Sequence, residues 1–205
     1  MEKTLTGKRV AILATDGFEQ SELFDPKKNL EDAGAQVDII APKAGEIKAW
    51  HKKDWGKTIK VDATVEEASA TDYDALMLPG GVMNPDTLRI NDKAVSFVKA
   101  FADAGKPIGA ICHGPWTLIE AGIVQGKQMT SWPSLKTDLQ NAGALWVDQQ
   151  VIVDNGLVTS RKPEDIPAFC SKLIEEIKEG KHLSTQSAGK STLKQPTEPL
   201  IIREF

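Results

Sequence analysis

Residues 107–122 read PIGAICHGPWTLIEAG. Ile108–Ile111 form a short apolar run of the kind that makes a buried strand, and it stops at Cys112. His113 follows, then two turn formers, Gly114 and Pro115, and then the apolar spacing of an amphipathic helix. A residue held at such a strand-to-helix turn is pushed out at the C-terminal edge of a sheet, as in the nucleophile elbow of serine hydrolases. There its side chain faces the free N–H groups of the helix N-terminus, which favour an anion. The expectation for Cys112 is therefore a thiol with lowered pKa, since the thiolate is the reactive form.

Working outward in both directions, strands and helices alternate. Lys8–Ala14 and Gln36–Ala41 read as strands, with a helix over 20–34 between them that contains Pro26 and stops at Gly34. Residues 42–62 carry two tryptophans and a turn at Asp54–Gly56, and they read as a hairpin excursion. The alternation resumes with a short helix near Val65–Ser69 and a strand at Ala75–Leu78, closed by a turn over 79–86 that opens Pro79-Gly80-Gly81. A helix at 91–105 leads into the Cys112 strand. After the elbow helix come a short strand at 129–132, a helix from Pro133 to Asn141, and two strands flanking Asp154-Asn155-Gly156, a strong hairpin signal. A last long helix covers 163–179. This order predicts an α/β fold, a doubly wound, mostly parallel sheet with helices on both faces. Ligands of such sheets bind at the C-terminal strand ends. The turns at 15–19, 79–86 and 112–114 are then candidates to share one mouth.

Composition bounds the rest. The 205 residues suit one domain, read here as 1–180, with a C-terminal extension over 181–205. From Lys181 the chain turns polar and loses helical periodicity, while Leu200, Ile201, Ile202 and Phe205 are apolar enough to dock on a core or a neighbouring subunit. A net charge of −4 without a basic stripe argues against nucleic acid as a partner. No apolar run is long enough for a membrane span and no signal-peptide pattern opens the chain, so the cytoplasm is expected. Of the two cysteines, Cys170 lies on the apolar face of the last helix and reads as core, and a reducing compartment argues against pairing it with Cys112. His51, His113 and His182 are scattered and neither cysteine sits in a zinc spacing, so neither metal nor cofactor is expected.

A reactive thiol needs a proton relay and an oxyanion site. Glu19, in DGFEQSEL, is the candidate carboxyl, either a general acid/base beside the thiol or a helix N-terminal charge interacting with the dipole. The backbone N–H groups of Gly81 and His113 are candidate oxyanion donors, with ordinary turn chemistry as the competing explanation for the glycines.

Taken together, AICHGPW after a GKPI strand, LPGG followed by PDTLRIN, DGFEQSEL and TSWPSLKTDLQNAGALWVD resemble the PfpI family over about residues 7–180. These are intracellular peptidase-like and deglycase-like stress proteins, in the wider superfamily of the Parkinson-associated deglycase and class I glutamine amidotransferases. The resemblance implies a flavodoxin-like fold with Cys112 as nucleophile, Glu19 as the carboxyl on its sulfur and His113 as the adjacent base. It further implies that Asp86 orients His113 across a subunit interface, although peptidase-type members carry a glutamate there, one methylene longer. It implies a homodimer or hexamer, and a substrate that is a small carbonyl or a modified protein. Three activities follow as readings: a deglycase or glyoxalase-type hydrolase, a cysteine peptidase, and a redox-sensing stress protein without turnover.

Overall fold

Along the first strand, Val10 and Ile12 face one apolar layer while Ala11 and Leu13 face another. Both faces of the sheet are therefore covered, as the continuous apolar runs require. The computed structural model describes residues 3–182. The expected docking of the apolar C-terminal residues lies outside them, as does most of the 181–205 extension.

Within the described residues, strands β1 (Arg9–Leu13) and β2 (Gln36–Ala41) are joined by helix α1 (Gln20–Asp32). A hairpin of β3 (Glu46–His51) and β4 (Asp54–Lys60) follows, then the short β5 (Ala63–Thr64). Next come β6 (Ala75–Leu78), α2 (Met83–Arg89), α3 (Asp92–Asp103), β7 (Ile108–Ile111) and α4 (Pro115–Glu120). The chain continues with β8 (Gln128–Met129), α5 (Lys136–Asn141), β9 (Leu145–Trp146), the hairpin β10 (Val151–Asp154) and β11 (Leu157–Ser160), and α6 (Ile166–Glu179). Seven strands make one sheet in the order β10-β11-β7-β6-β1-β2-β5. All neighbours are parallel except β10 with β11. Leu23 and Leu30 of α1 pack with Phe169 and Leu173 of α6 on one face. Phe97 and Phe101 of α3, Leu118 of α4 and Leu139 of α5 cover the other. The chain leaves β1 toward β2 on one side and returns to β6 on the other. That reversal opens the crevice at the strand C-termini where such folds bind ligands.

Four sequence expectations need correction. Val65–Ser69 is a turn, because Glu67 folds back to accept from the Thr64 backbone N–H and hydroxyl, each at 2.9 Å, and closes the chain locally. The segment after Pro79-Gly80-Gly81 does not stay a turn: α2 starts at Met83, with Pro85 in the first helical turn, where its missing N–H has no partner to lose. The strand at 129–132 is only Gln128–Met129 and pairs with β9 in a separate two-stranded ladder, since the Trp132 N–H is taken by the Cys112 carbonyl at 2.9 Å. Asp54–Gly56 lies in β4, and the hairpin turns instead before it, where Lys52 adopts a φ of 57°. Pro26 is tolerated inside α1, where it removes one backbone bond, to the Glu22 carbonyl.

Candidate active site

Cys112 follows β7 directly and has a φ of 62°, a conformation that L side chains adopt only where surrounding structure enforces it. The enforcement is visible in its backbone bonds. The Cys112 N–H donates to the Ser160 carbonyl at the end of β11 (3.0 Å), its carbonyl accepts from Trp132, and the Gly114 N–H returns to the Ile111 carbonyl at 2.9 Å. The result is the strand-to-helix elbow expected from the sequence, with the sulfur at the sheet edge and 7% of the residue exposed.

The carboxyl that meets this sulfur belongs to Glu22. Its side chain is completely buried beside Cys112 and accepts from the Gly80 N–H through Oε2 at 3.1 Å. Oε1 is buried without a hydrogen-bond partner among the described residues, so it is the oxygen on which a proton costs least. Glu19, the carboxyl expected from the sequence, is the extended residue that precedes α1 and is only partly buried. Its backbone pairs with Gly80, and its carboxylate accepts from Ser21 at 3.4 Å. The residues are three apart, and where α1 begins decides between them. From Gln20 onward the chain is helical, so Glu22 joins Leu23, Pro26 and Leu30 on the buried stripe, whereas Glu19 lies before the helical register.

Gly80 makes the close approach possible. A Cβ there would stand 2.5 Å from Glu22 Oε2 and 2.6 Å from the Cys112 Cβ. Asn84, fully buried in α2, ties the surrounding turns together. It accepts from the Thr15 N–H at 2.8 Å and donates to the Pro79 and Gly80 carbonyls at 3.0 and 3.1 Å. Asn84 thus joins the strand ends after β1 and β6, and Gly80 brings that turn against the Cys112 elbow after β7.

His113 stands on the other side of the sulfur. Its Nδ1 is 3.2 Å from Cys112 Sγ, its Nε2 is 3.3 Å from Ser134 Oγ, and the ring packs between Trp116 and Trp132. Asp86 lies exposed on α2, and among the described residues no hydrogen bond or ion pair within the chain joins it to His113. The backbone N–H groups of Gly81 and His113, the expected oxyanion donors, lie beside Cys112 and favour its charged form.

Electrostatics correct the expectation of a lowered thiol pKa. Burial pushes the Cys112 thiol up, the Glu22 charge adds to the effect, and the Gly81 and His113 N–H groups oppose it only in part. The helix is a weak counterweight because α4 has six residues and opens on Pro115, which has no N–H. Burial also pushes Glu22 up to about 8, so at neutral pH it is a carboxylic acid and a hydrogen-bond donor. Burial lowers His113 to about 4, which leaves a neutral imidazole able to accept the thiol proton. The site holds a proton-bearing sulfur between an acid and a base. Cys170, on the buried face of α6, is the core cysteine the sequence suggested, pushed up to about 12 by burial. Sequence reasoning missed Glu22, Asn84 and Ser134. Only Glu22 left a signal, as a carboxyl on an otherwise apolar helical stripe.

No helix among the described residues is long and apolar enough to cross a membrane. Residues 8–176 match the model of the DJ-1/PfpI family. A Pyrococcus abyssi protein named as a deglycase is 42% identical over 170 residues, which cover 83% of this chain and 99% of that protein. A Bacillus subtilis protein named as a putative cysteine protease, YraA, is 41% identical over 172 residues, 83% of this chain and 99% of that one. Among solved structures, a two-domain protein of Anabaena variabilis with DJ-1/ThiJ/PfpI-like and ferritin-like domains superposes with a TM-score of 0.78 at 36% identity. The match covers 83% of this chain and 48% of that longer one. By the match of residues 8–176 to the family model and by the identity to these full-length relatives, this chain belongs to the DJ-1/PfpI family.

Proposed function

We propose that this chain is a cysteine-dependent stress-response hydrolase that converts methylglyoxal, or its early adducts on protein side chains, to lactate. The observation that carries the reading is Cys112 held at a strained elbow between the neutral His113 imidazole and the protonated Glu22 carboxyl. As Sγ bonds to the aldehyde carbon, the thiol proton passes to His113 Nδ1 and the new oxygen takes a proton, giving a hemithioacetal. Moving hydrogen from that carbon to the neighbouring ketone, by proton removal and return, oxidises the first carbon to a thioester and reduces the second to an alcohol. Water then cleaves the thioester, releasing lactate and restoring the thiol. The sum is methylglyoxal plus water, so no external oxidant or reductant is required. Glu22 is suited to donate to the sulfur or the developing oxyanion while it keeps its proton.

The purified chain is expected to release lactate from methylglyoxal and from methylglyoxal-treated peptides, and Cys112→Ala is expected to abolish both. Lactate release that survives this substitution refutes the assignment. A second reading, peptide hydrolysis, is favoured by the exposed Val82 and Met83 on the segment that carries Asp86. A second copy covering these apolar residues would bring Asp86 to a neighbouring His113 and complete a triad in trans. Casein hydrolysis that disappears on dilution and in Asp86→Ala supports it. Turnover indifferent to both eliminates it.

A further inference from the structure

At the end of the sheet opposite Cys112, α6 terminates beside the starts of β7 and β11, along a groove of about 700 Å³. Glu176 and Glu179 stand one helical turn apart, and the chain reverses at Gly180 to bring His182 back beside them. His182 is held in place: its N–H donates to the Gly105 carbonyl at 2.8 Å, and its ring lies over Gly156. A Cβ at Gly156 would sit 2.7 Å from the ring. The segment therefore has a defined seat that a larger residue would fill.

Glu176 is the unexpected member. It is 7% exposed, yet its Oε2 has no hydrogen-bond partner among the described residues. His182 Nε2 is 2.9 Å away and likewise lacks one. The two atoms are close enough for a hydrogen bond, but the ring nitrogen is not aimed at the oxygen. The hydrogen-bonding capacity of both atoms is therefore unused within the described residues and open to a third atom. Glu179 completes the group, since one ligand atom from each of the three residues lies within 4.8 Å of the others. Donors bound at about 2.0–2.1 Å to one tetrahedral zinc ion are separated by roughly 3.3 Å, so small side-chain adjustments suffice.

We propose that Glu176, Glu179 and His182 bind one divalent transition-metal ion of the zinc class, independent of the chemistry at Cys112. One imidazole with two carboxylates suits zinc better than calcium or magnesium, which take oxygen ligands and more of them. The spacing Glu-x-x-Glu-x-x-His escapes a search for cysteine and histidine pairs, so scattered histidines in the sequence did not exclude it. The ion would fasten the start of the C-terminal segment over Gly105 and Gly156, where a bare histidine–carboxylate pair is poorly aligned.

The test is zinc titration by calorimetry of the full chain after chelator treatment, in a Cys112→Ser background so that the thiol cannot contribute. One zinc ion per chain is expected, with affinity at least tenfold weaker in both Glu179→Gln and His182→Ala. Both substitutions lie at partly or fully exposed positions and are compatible with folding, which circular dichroism checks. Zinc is also expected to raise the Tm of the Cys112→Ser protein and not that of its His182→Ala derivative. Absence of stoichiometric binding, a loss of less than tenfold in either variant, or an equal Tm shift with and without His182 overturns the proposal.

Discussion

Replacing Glu22 by Gln tests the central electrostatic statement without any activity assay. The carboxyl ordinarily ionises at 4.5 and in the folded chain does so only at about 8, chiefly because it is buried. Between those values the folded protein holds a proton that the unfolded chain releases. Unfolding therefore becomes easier as pH rises, by about 1.4 kcal/mol per pH unit. The stability associated with this group is complete below pH 4.5, erodes as pH climbs, and is lost by about pH 8. Between pH 5 and pH 8 the accumulated effect is about 4 kcal/mol. Cys112 does not dilute it, because its thiol is pushed up and stays protonated over the same range. Glutamine keeps an oxygen for the Gly80 N–H and a donor for the sulfur but has nothing to titrate. Urea unfolding of both proteins at pH 5, 6, 7 and 8, at one protein concentration, isolates the group, since other titrations cancel in the difference. Glu22→Gln is expected to gain about 4 kcal/mol relative to the parent across that range. Parallel curves, with a relative change under about 1 kcal/mol, would refute the buried neutral acid and the proton relay built on it.

Glu22 and His113 set the pH profile of lactate release: the rate rises through about pH 4 as His113 becomes neutral and falls above about 8 as Glu22 ionises. Glu22→Gln should lose only the alkaline limb, and an unchanged alkaline limb in that variant would assign it to another group. Ser134→Ala removes the partner of His113 Nε2. Its kcat is expected to fall by roughly 3–10-fold with KM nearly unchanged, and to fall no further in a His113→Ala background. Gly80→Ala drives a methyl group against Glu22, Cys112 and the Ile111 carbonyl. Urea unfolding should register a loss of about 1–3 kcal/mol, and a neutral effect would show that the turn yields more readily than its packing implies.

The alternation of apolar runs with helical periodicity determined the doubly wound sheet. Buried parallel strands require apolar residues on both faces, and that requirement is local enough to read along the chain. The Cys112 elbow was equally legible, because a strand ending in Cys-His-Gly-Pro leaves the backbone few alternatives. Short elements were less so: α2 has seven residues and no side-chain cap, and the Thr64–Glu67 turn depends on side-chain bonds that periodicity does not register. Tertiary structure alone decided which carboxyl reaches the sulfur, because a shift of three residues at the start of α1 exchanges Glu19 for Glu22. It also decided the protonation of the site, since desolvation depends on every neighbour that excludes water and overrides the weak field of a six-residue helix. Sequence spacing fixes which residues can be neighbours along one element. Charge, by contrast, answers to everything packed around it.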